Sequence, residues 1–385
     1  MSLTNATERD ERRGSGARRA VASADERWTF CLRAMAVLLL VLVTTIGYSL
    51  GQALRRPGND GAAARLAEWA RDHQLGWAVT TLEKASYDQH PPRRGGAPAE
   101  GVPVVGGLGP SGPAPVPVLA GGAPLPHEGQ WQVVSTVGSR PAVRLAFLRP
   151  DDQHTSYLAT VMWLDPTTLS ARLHPGTQDP GGQWTTPSEI DPQLQQSVIA
   201  AFPGGFRLNG DSRGGYFDQG RTAVPLRTGA ASFVVDVDGS VQIGQWGRDV
   251  QMNPRIRAVR QNLDLLVDGA KVNSSCGDNQ SSVWGRTVGN ADYVPRTGLG
   301  QRADGSLVFI NSPATSVCSL ARLLQAAGTV RGMELDINKT WAIGYYYDHA
   351  GSLVTAHKSR PDQDHSEQRY FSPQTRDFIA FYARS

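Results

Sequence analysis

From Gln130 to Ser385 apolar and polar residues alternate in short runs, while one unbroken apolar block lies far upstream at Ala34–Leu54. Period-2 alternation marks strands, and it predicts them at Trp131–Val137, Ala142–Leu148, Tyr157–Leu164, Ser232–Val237, Val241–Gly244, Leu263–Val267, Leu307–Asn311, Val330–Asn338 and Trp341–Tyr347. Helical spacing is rarer and predicts Pro192–Phe202, Pro254–Asn262 and Ser316–Ala327, the last ending at Gly328. Asp238-Gly239 and Asp304-Gly305 lie between apolar runs, the strongest short signal of a hairpin turn. The first of these also resembles a fragment of a calcium loop, a reading the hairpin signal outweighs. Mostly strand with a few helices and one strand–helix–strand unit predicts an α+β domain.

Within this pattern Arg331–Trp341, RGMELDINKTW, stands apart because it sets carboxylates inside an apolar strand. Met333, Leu335 and Ile337 alternate with Glu334, Asp336 and Asn338, so three polar groups share one face. Residues two apart on a strand are separated by about 6.7 Å, close enough for Glu334 and Asp336 to act on one bound molecule. Buried carboxylates without partners are costly. Either a ligand faces them or an arginine from a neighbouring strand does.

The block Ala34–Leu54 carries no charge and is long enough to span a bilayer. Trp28, Phe30 and Tyr48 suit interfacial positions. A cleaved signal peptide competes with an anchor, because Gly51 and Ala53 are small, but the long preceding tail favours the anchor. The chain then divides into a cytoplasmic disordered tail (1–33), a transmembrane helix (34–54), a juxtamembrane helix (55–90), a Pro/Gly-rich linker (91–129) and a folded domain (130–385). Arginines flank the span on both sides, so the positive-inside bias is mild; the reading puts the N-terminus in the cytoplasm and the domain outside it. Ala62–Ser86 reads as one helix, serving as a stalk, as a self-association element or as an ordinary amphipathic helix. Pro91–Gly129 is saturated with Pro, Gly, Ala and Val, which predicts a semi-extended spacer.

Composition narrows the function classes. Lys and Arg number 38 against 35 Asp and Glu, a net charge of +3 with no basic cluster, so no nucleic-acid footprint is present. The histidines and the three cysteines lack metal-site spacing, and no phosphate-cradling glycine fingerprint occurs; neither a metal nor a cofactor is expected. Cys276 and Cys318 are a candidate disulfide if the domain lies outside the cytoplasm.

Glycine-rich segments punctuate the domain: Phe202-Pro203-Gly204-Gly205-Phe206-Arg207, Gly214-Gly215-Tyr216-Phe217 and Arg296-Thr297-Gly298-Leu299-Gly300. Singly each reads as a turn. Their order, followed by a helix and a strand ending in Leu335-Asp336, resembles the phosphodiester glycosidase family, which includes the lysosomal enzyme that uncovers a phosphate by removing N-acetylglucosamine. The resemblance covers about Ile190–His349. Trp246-Gly247-Arg248-Asp249 and Arg260-Gln261-Asn262-Leu263 make it most similar to membrane-anchored actinobacterial members. Two positions depart from the family: Pro203 stands where it usually has Asn, and Ile337-Asn338-Lys339-Thr340 replaces a glycine-rich turn.

The resemblance implies hydrolysis of a glycosyl-1-phosphodiester on an envelope glycan or lipid-linked sugar. It implies catalytic roles for Asp336, Glu334 and Arg296, a carboxylate acting at the sugar and an arginine holding the phosphate charge. Arg207, Arg221, Gly204, Gly205, Thr297 and Asn338 are the expected substrate-binding residues. The rival expectation is a catalytically inactive domain of the same fold that binds glycan or phosphopolymer. A plainer alternative makes Arg296 and Asp336 a buried ion pair, with Glu334 paired to Arg331 or Arg248.

Overall fold

Alanine, leucine and valine fill the first helix, α1 (Thr7–Leu54), and its side chains from Trp28 onward lie almost wholly exposed. The computed structural model describes residues 7–55, 61–108, 112–208, 210–277, 281–285, 287 and 291–384, with side chains from Trp28 on except at Ser281 and Ser282. The stretch Trp28–Leu54 is long and apolar enough to cross a membrane. The expected disordered tail is a continuation of this helix from Thr7. Ala, Arg and Glu are good helix formers, and a helix already nucleated in the apolar block extends at little cost. Residues 1–6 of that tail, and the side chains of its arginines up to Arg19 and of Arg27, lie outside the described residues.

The single helix expected over Ala62–Ser86 is two, α2 (Ala62–Asp72) and α3 (Gly76–Gln89). Gln74, with φ of 64°, breaks the chain between them in the left-handed region.

Four strands follow: β1 (Gly107–Leu108), β2 (Gln132–Val137), β3 (Arg140–Leu148) and β4 (Ala159–Leu164). Next come β5 (Leu169–His174), β6 (Val198–Pro203), β7 (Tyr216–Asp218), β8 (Arg221–Val224), β9 (Ala231–Asp236) and β10 (Val241–Gln245). Then β11 (Ile256–Gln261), β12 (Leu265–Asp268), β13 (Lys271–Val272), the short α4 (Ser281–Trp284), β14 (Val294–Arg302) and β15 (Leu307–Thr315) lead to α5 (Val317–Ala326). The chain closes with β16 (Thr329–Glu334), β17 (Tyr345–Ala350), β18 (Leu353–Lys358) and β19 (Phe378–Ala383). The α+β expectation holds: strands form a nine-stranded sheet in the order β1-β2-β3-β4-β15-β14-β16-β12-β13 and two five-stranded sheets, β10-β9-β11-β7-β8 and β18-β17-β6-β19-β5.

Inner faces of all three sheets meet in one apolar core. Phe147, Met162, Leu299, Phe309 and Met333 of the large sheet join Phe233 and Val235 of the second and Phe202, Ile379 and Phe381 of the third. Phe202 stacks on Phe309 with centroids 4.2 Å apart. On the outer face of the large sheet, Leu320, Leu323 and Leu324 of α5 cover Val308, Ile310 and Leu266. Helix α5 begins where Ser316 accepts a bond from the Ser319 N–H, an N-cap, and stops at Gly328, whose φ is 84°. The predicted strand–helix–strand unit is therefore β15–α5–β16, with β14 inserted between its two parallel strands.

Both Asp-Gly hairpins form, at β9–β10 and β14–β15. Several other expectations fail for identifiable reasons. Pro192–Phe202 is one 3-10 turn, Pro192–Ser197, followed by strand β6. The run Val198-Ile199-Ala200-Ala201-Phe202 is buried on both faces, where periodicity cannot separate helix from strand. Pro254–Asn262 is likewise strand β11 rather than a helix. Arg296–Gly300 lies inside β14, not in a turn; its glycines allow close packing, since a Cβ on Gly300 would sit 2.5 Å from Thr329.

The linker is not a free spacer either. Ala114 accepts a bond from the Trp131 indole, Val105 donates to Gln132, β1 extends the large sheet, and Val116 and Ala120 are buried. Glu128 pairs with buried Arg149 at 2.9 Å, so the segment supplies a counter-charge that the domain needs. The folded unit thus reaches upstream of Gln130.

Cys276 and Cys318 are joined by a disulfide that ties the Ser274–Gly277 turn to the start of α5. The bridge closes 42 residues of chain, for which the chain-entropy relation gives about 4 kcal/mol. The double variant Cys276→Ser/Cys318→Ser should therefore lose about 2–5 kcal/mol in denaturant unfolding. An unchanged midpoint and slope would show that the bridge contributes nothing to stability.

Candidate active site

Strand β16 ends at Glu334, and the next two residues remain stitched to β14. Thr297 accepts from the Leu335 N–H and donates its own N–H to the Asp336 carbonyl, while its hydroxyl accepts from the Asp336 N–H at 2.9 Å. The expected strand over Val330–Asn338 thus stops short, and Asp336 leaves the sheet where β14 still anchors its backbone. Its carboxylate turns on itself: Oδ1 accepts from the N–H groups of Ile337 (2.8 Å) and Asn338 (3.2 Å). Oδ2 meets Arg376 Nη2 at 2.9 Å.

Arg376 was not among the residues singled out in the sequence. It precedes β19, and the same Nη2 donates to the Gly205 carbonyl at 2.8 Å. Its guanidinium lies over the Trp341 ring, 4.3 Å from the centroid. The neighbouring Asp377 takes Arg260 of β11 through Nε (2.8 Å) and Nη2 (3.2 Å), both side chains fully buried. Arg260 also donates to the carbonyls of Gln261 and Phe206. Asn262 completes the seam, donating to the carbonyls of Glu334 (2.8 Å) and Leu335 (3.0 Å) and accepting from the Phe206 N–H.

Glu334 and Arg296 form the third pair, Oε1 to Nη1 at 2.6 Å. Arg296 spends its other groups on the carbonyls of Thr315 (2.9 Å) and Asp292 (3.3 Å). The pairing anticipated between Arg296 and Asp336 is therefore corrected: Arg296 holds Glu334, and Arg376 holds Asp336. Neither Arg331 nor Arg248 reaches Glu334; both engage Asp249 and Asp268. Among the described residues, Glu334 Oε2 and Arg376 Nε are buried without a hydrogen-bond partner.

The first glycine pair is confined by this seam. A Cβ on Gly204 would fall 2.1 Å from Asp377 Oδ2, and Gly205 has φ of 141° with Asn262 against it. Both glycines are needed for the close approach of the β6 loop to the carboxylates. Arg207 stands at the edge, one quarter exposed, bonded to Asp72 of α2 at 2.7 Å. Asn338 contributes its backbone N–H to Asp336, while its side chain caps the Thr340 N–H. Arg221 is not brought to this group: it lies over Trp184, 3.6 Å from the ring centroid, in the β7–β8 hairpin. Trp284 is core, and Trp341 is faced by Arg369 and Arg376.

Electrostatically the site is a set of desolvated carboxylates held by arginines. Burial pushes the Asp336 carboxyl up, against the pull of Arg376 and the two backbone N–H groups. Burial also raises Glu334, where Arg296 opposes it and the Asp336 charge adds to it. Arg376 loses hydration as well, yet Asp336, Glu68, Asp179 and Asp377 hold its proton more firmly than usual. Among the described residues no group of His, Cys, Asp and Glu is arranged to hold a metal ion. A pocket lined by Leu164, Leu307, Phe381, Arg384 and the Gly239 turn includes none of these charged pairs.

Residues 196–336 match the sequence model of a family described as phosphodiester glycosidase. No curated protein matches the chain. Among solved structures the chain is similar to the catalytic domain of zebrafish N-acetylglucosamine-1-phosphodiester alpha-N-acetylglucosaminidase, auto-inhibited by its pro-peptide, at 13% identity over 66% of this chain and 88% of that one, with a TM-score of 0.41. It is also similar to a hypothetical protein from Synechocystis, at 12% identity over 65% of this chain and 63% of that one, with a TM-score of 0.36.

Removing one partner of a buried pair leaves a stranded charge and typically costs about 3–5 kcal/mol, whereas replacing both by apolar groups costs far less. Asp377→Leu should therefore destabilise the protein by about that amount, and Arg260→Met/Asp377→Leu by much less. Chemical denaturation of both variants checks this. Equal losses would mean that packing around the pair, rather than its charge, carries the effect.

Proposed function

Starting from the phosphodiester glycosidase segment at residues 196–336, we propose that the domain hydrolyses the bond between a sugar's anomeric carbon and a phosphodiester oxygen. Asp336 carries this reading, because one carboxylate is aimed by an arginine, a threonine-anchored backbone and two backbone N–H groups beside the Gly204–Gly205 loop. Water's oxygen bonds the anomeric carbon and passes a proton to the Asp336 carboxylate. The carbon–oxygen bond breaks with its electron pair staying on phosphate, which leaves as a phosphomonoester while the sugar is released. Phosphate needs charge stabilisation more than protonation, and an arginine fork supplies it. Arg207, partly exposed, and the free Nε of Arg376 are suited to that task. Arg296 is fully engaged and acts as the positioning partner of Glu334.

The second reading, a binding domain without turnover, is favoured by the near-complete burial of Asp336 and Glu334 in arginine pairs and by Pro203 at the end of β6. The disulfide supports placing the domain in an oxidising, extracytoplasmic compartment, with α1 as its anchor.

The test is hydrolysis of a panel of sugar-1-phosphodiesters, N-acetylglucosamine included, by the full chain. Asp336→Asn should lower kcat/KM by about a hundredfold or more, and Arg376→Lys should do less because it keeps the charge. Burial raises Asp336, and the base must be ionised. Activity should therefore fall as pH drops through a value above the ordinary Asp range near 4. Saturable binding without turnover would establish the second reading instead.

A further inference from the structure

Helix α2 touches two things at once. On one side it lies along the last turns of α1: Trp69 donates from its indole to Ser49 Oγ at 3.0 Å, His73 contacts the same hydroxyl at 3.1 Å, and Arg65 donates to the Leu54 carbonyl at 2.6 Å. On the other it meets the site: Asp72 binds Arg207, and Glu68 strengthens the hold on the Arg376 proton. Helix α3 is joined to α2 by the Arg71–Glu83 pair at 2.7 Å. The Tyr87 hydroxyl near its end is raised by burial and by the charge of Asp292, whose carbonyl accepts from Arg296. The α2–α3 hairpin therefore borders the carboxylate group on its Arg207 side.

Depth follows from the Ser49 contacts. Ser49 precedes Leu54 by five residues, about 7.5 Å of helix rise, so Trp69 and His73 reach back to the level where Tyr48 stands exposed at 71%. If α1 crosses the bilayer, α2 runs at the lipid–water boundary, where tryptophan and tyrosine collect. The outer residues of the hairpin fit that position: Leu66, Leu75, Trp77 and Leu82 are exposed, the last two at 69% and 73%. Aromatic and aliphatic side chains beside a polar face characterise helices that lie in a membrane interface.

We propose that the α2–α3 hairpin lies in the membrane interface and holds the site against the bilayer, so that the substrate is a glycosyl phosphodiester carried by a membrane lipid. The proposal rests on α1 as the span and on the glycosidase reading. A lipid-borne substrate presents its phosphate at the headgroup level, the level at which the hairpin holds Arg207. The lipid itself then supplies proximity that a soluble polymer would have to gain from contacts with the protein.

The experiment uses the full chain in phosphatidylcholine–phosphatidylglycerol vesicles. Trp77 emission is isolated as the difference between the protein and Trp77→Phe, with and without dibrominated lipid. Quenching of at least twofold is expected. Trp77 emission unaffected by bromine would overturn the proposal, and a dimer with Trp77 shielded would assign the face to a second copy instead. In parallel, glycosyl-1-phosphodiesters with a methyl or a hexadecyl aglycone are supplied to the protein and to Trp77→Asp/Leu82→Asp. The variant should lose about tenfold on the hexadecyl ester and nothing on the methyl ester. Equal rates for the two proteins on both esters would overturn the lipid substrate while leaving the glycosidase reading intact. Hydrolysis of neither ester by the unaltered protein would remove the glycosidase reading, and the lipid substrate with it.

Discussion

The interior of this domain depends on neutralising charge where three sheets converge. Asp336 and Asp377 are buried with Arg376 and Arg260, and the two pairs interlock because Arg376 and Asp377 are adjacent in the chain. Arg376 grips the large sheet through Asp336, and Asp377 grips the second through Arg260, both from the residues that lead into a strand of the third. Such pairs add little net stability over apolar packing. Their effect is on arrangement, since a sheet displaced by one register would leave ions stranded in a low-dielectric interior.

That constraint explains the glycines as well. The β6 loop can approach Asp377 and Asn262 only because positions 204 and 205 lack a Cβ, and its carbonyls at Gly205 and Phe206 then satisfy donors on Arg376 and Arg260. Asn262 closes the same circuit from the second sheet. The geometry is one network in which each backbone excursion answers a side-chain demand. Helix α2 extends the network outward, because Asp72 pairs with Arg207 at the edge and the charge of Glu68 acts on buried Arg376.

How much of this was legible follows from the same physics. Alternation in Arg331–Trp341 exposed Glu334 and Asp336, and Asp-Gly pairs located two hairpins, since both signals are local. The order of the glycine-rich segments located the family segment. Strands β6 and β11 look helical in sequence: the first is apolar on both faces, and in the second Arg260 and Gln261 are buried together, which destroys the alternation. Nothing beside Arg376 and Asp377 in sequence marks them. Their partners lie 40 and 117 residues away, and only the folded chain brings them together. The plainer alternative for Arg296, an ion pair with Asp336, fails because strand register sets Arg296 against Glu334 instead. Proline and glycine disguised the linker, whose Glu128 proved to be the counter-charge of Arg149.

Chain order gives the network a temporal side. Every other member of the seam is made before residues 376 and 377, which reach back to Gly204, Arg260 and Asp336. While residues 376 and 377 are still unmade, Asp336 has no arginine and Arg260 no carboxylate, so both groups stay hydrated and the register of the three sheets is not yet fixed by charge. Contacts of such long sequence separation form slowly. Assembly of the seam is thereby postponed until the stretch carrying Arg376 and Asp377 has emerged, and a nascent chain arrested before that point leaves Asp336 and Arg260 unpaired.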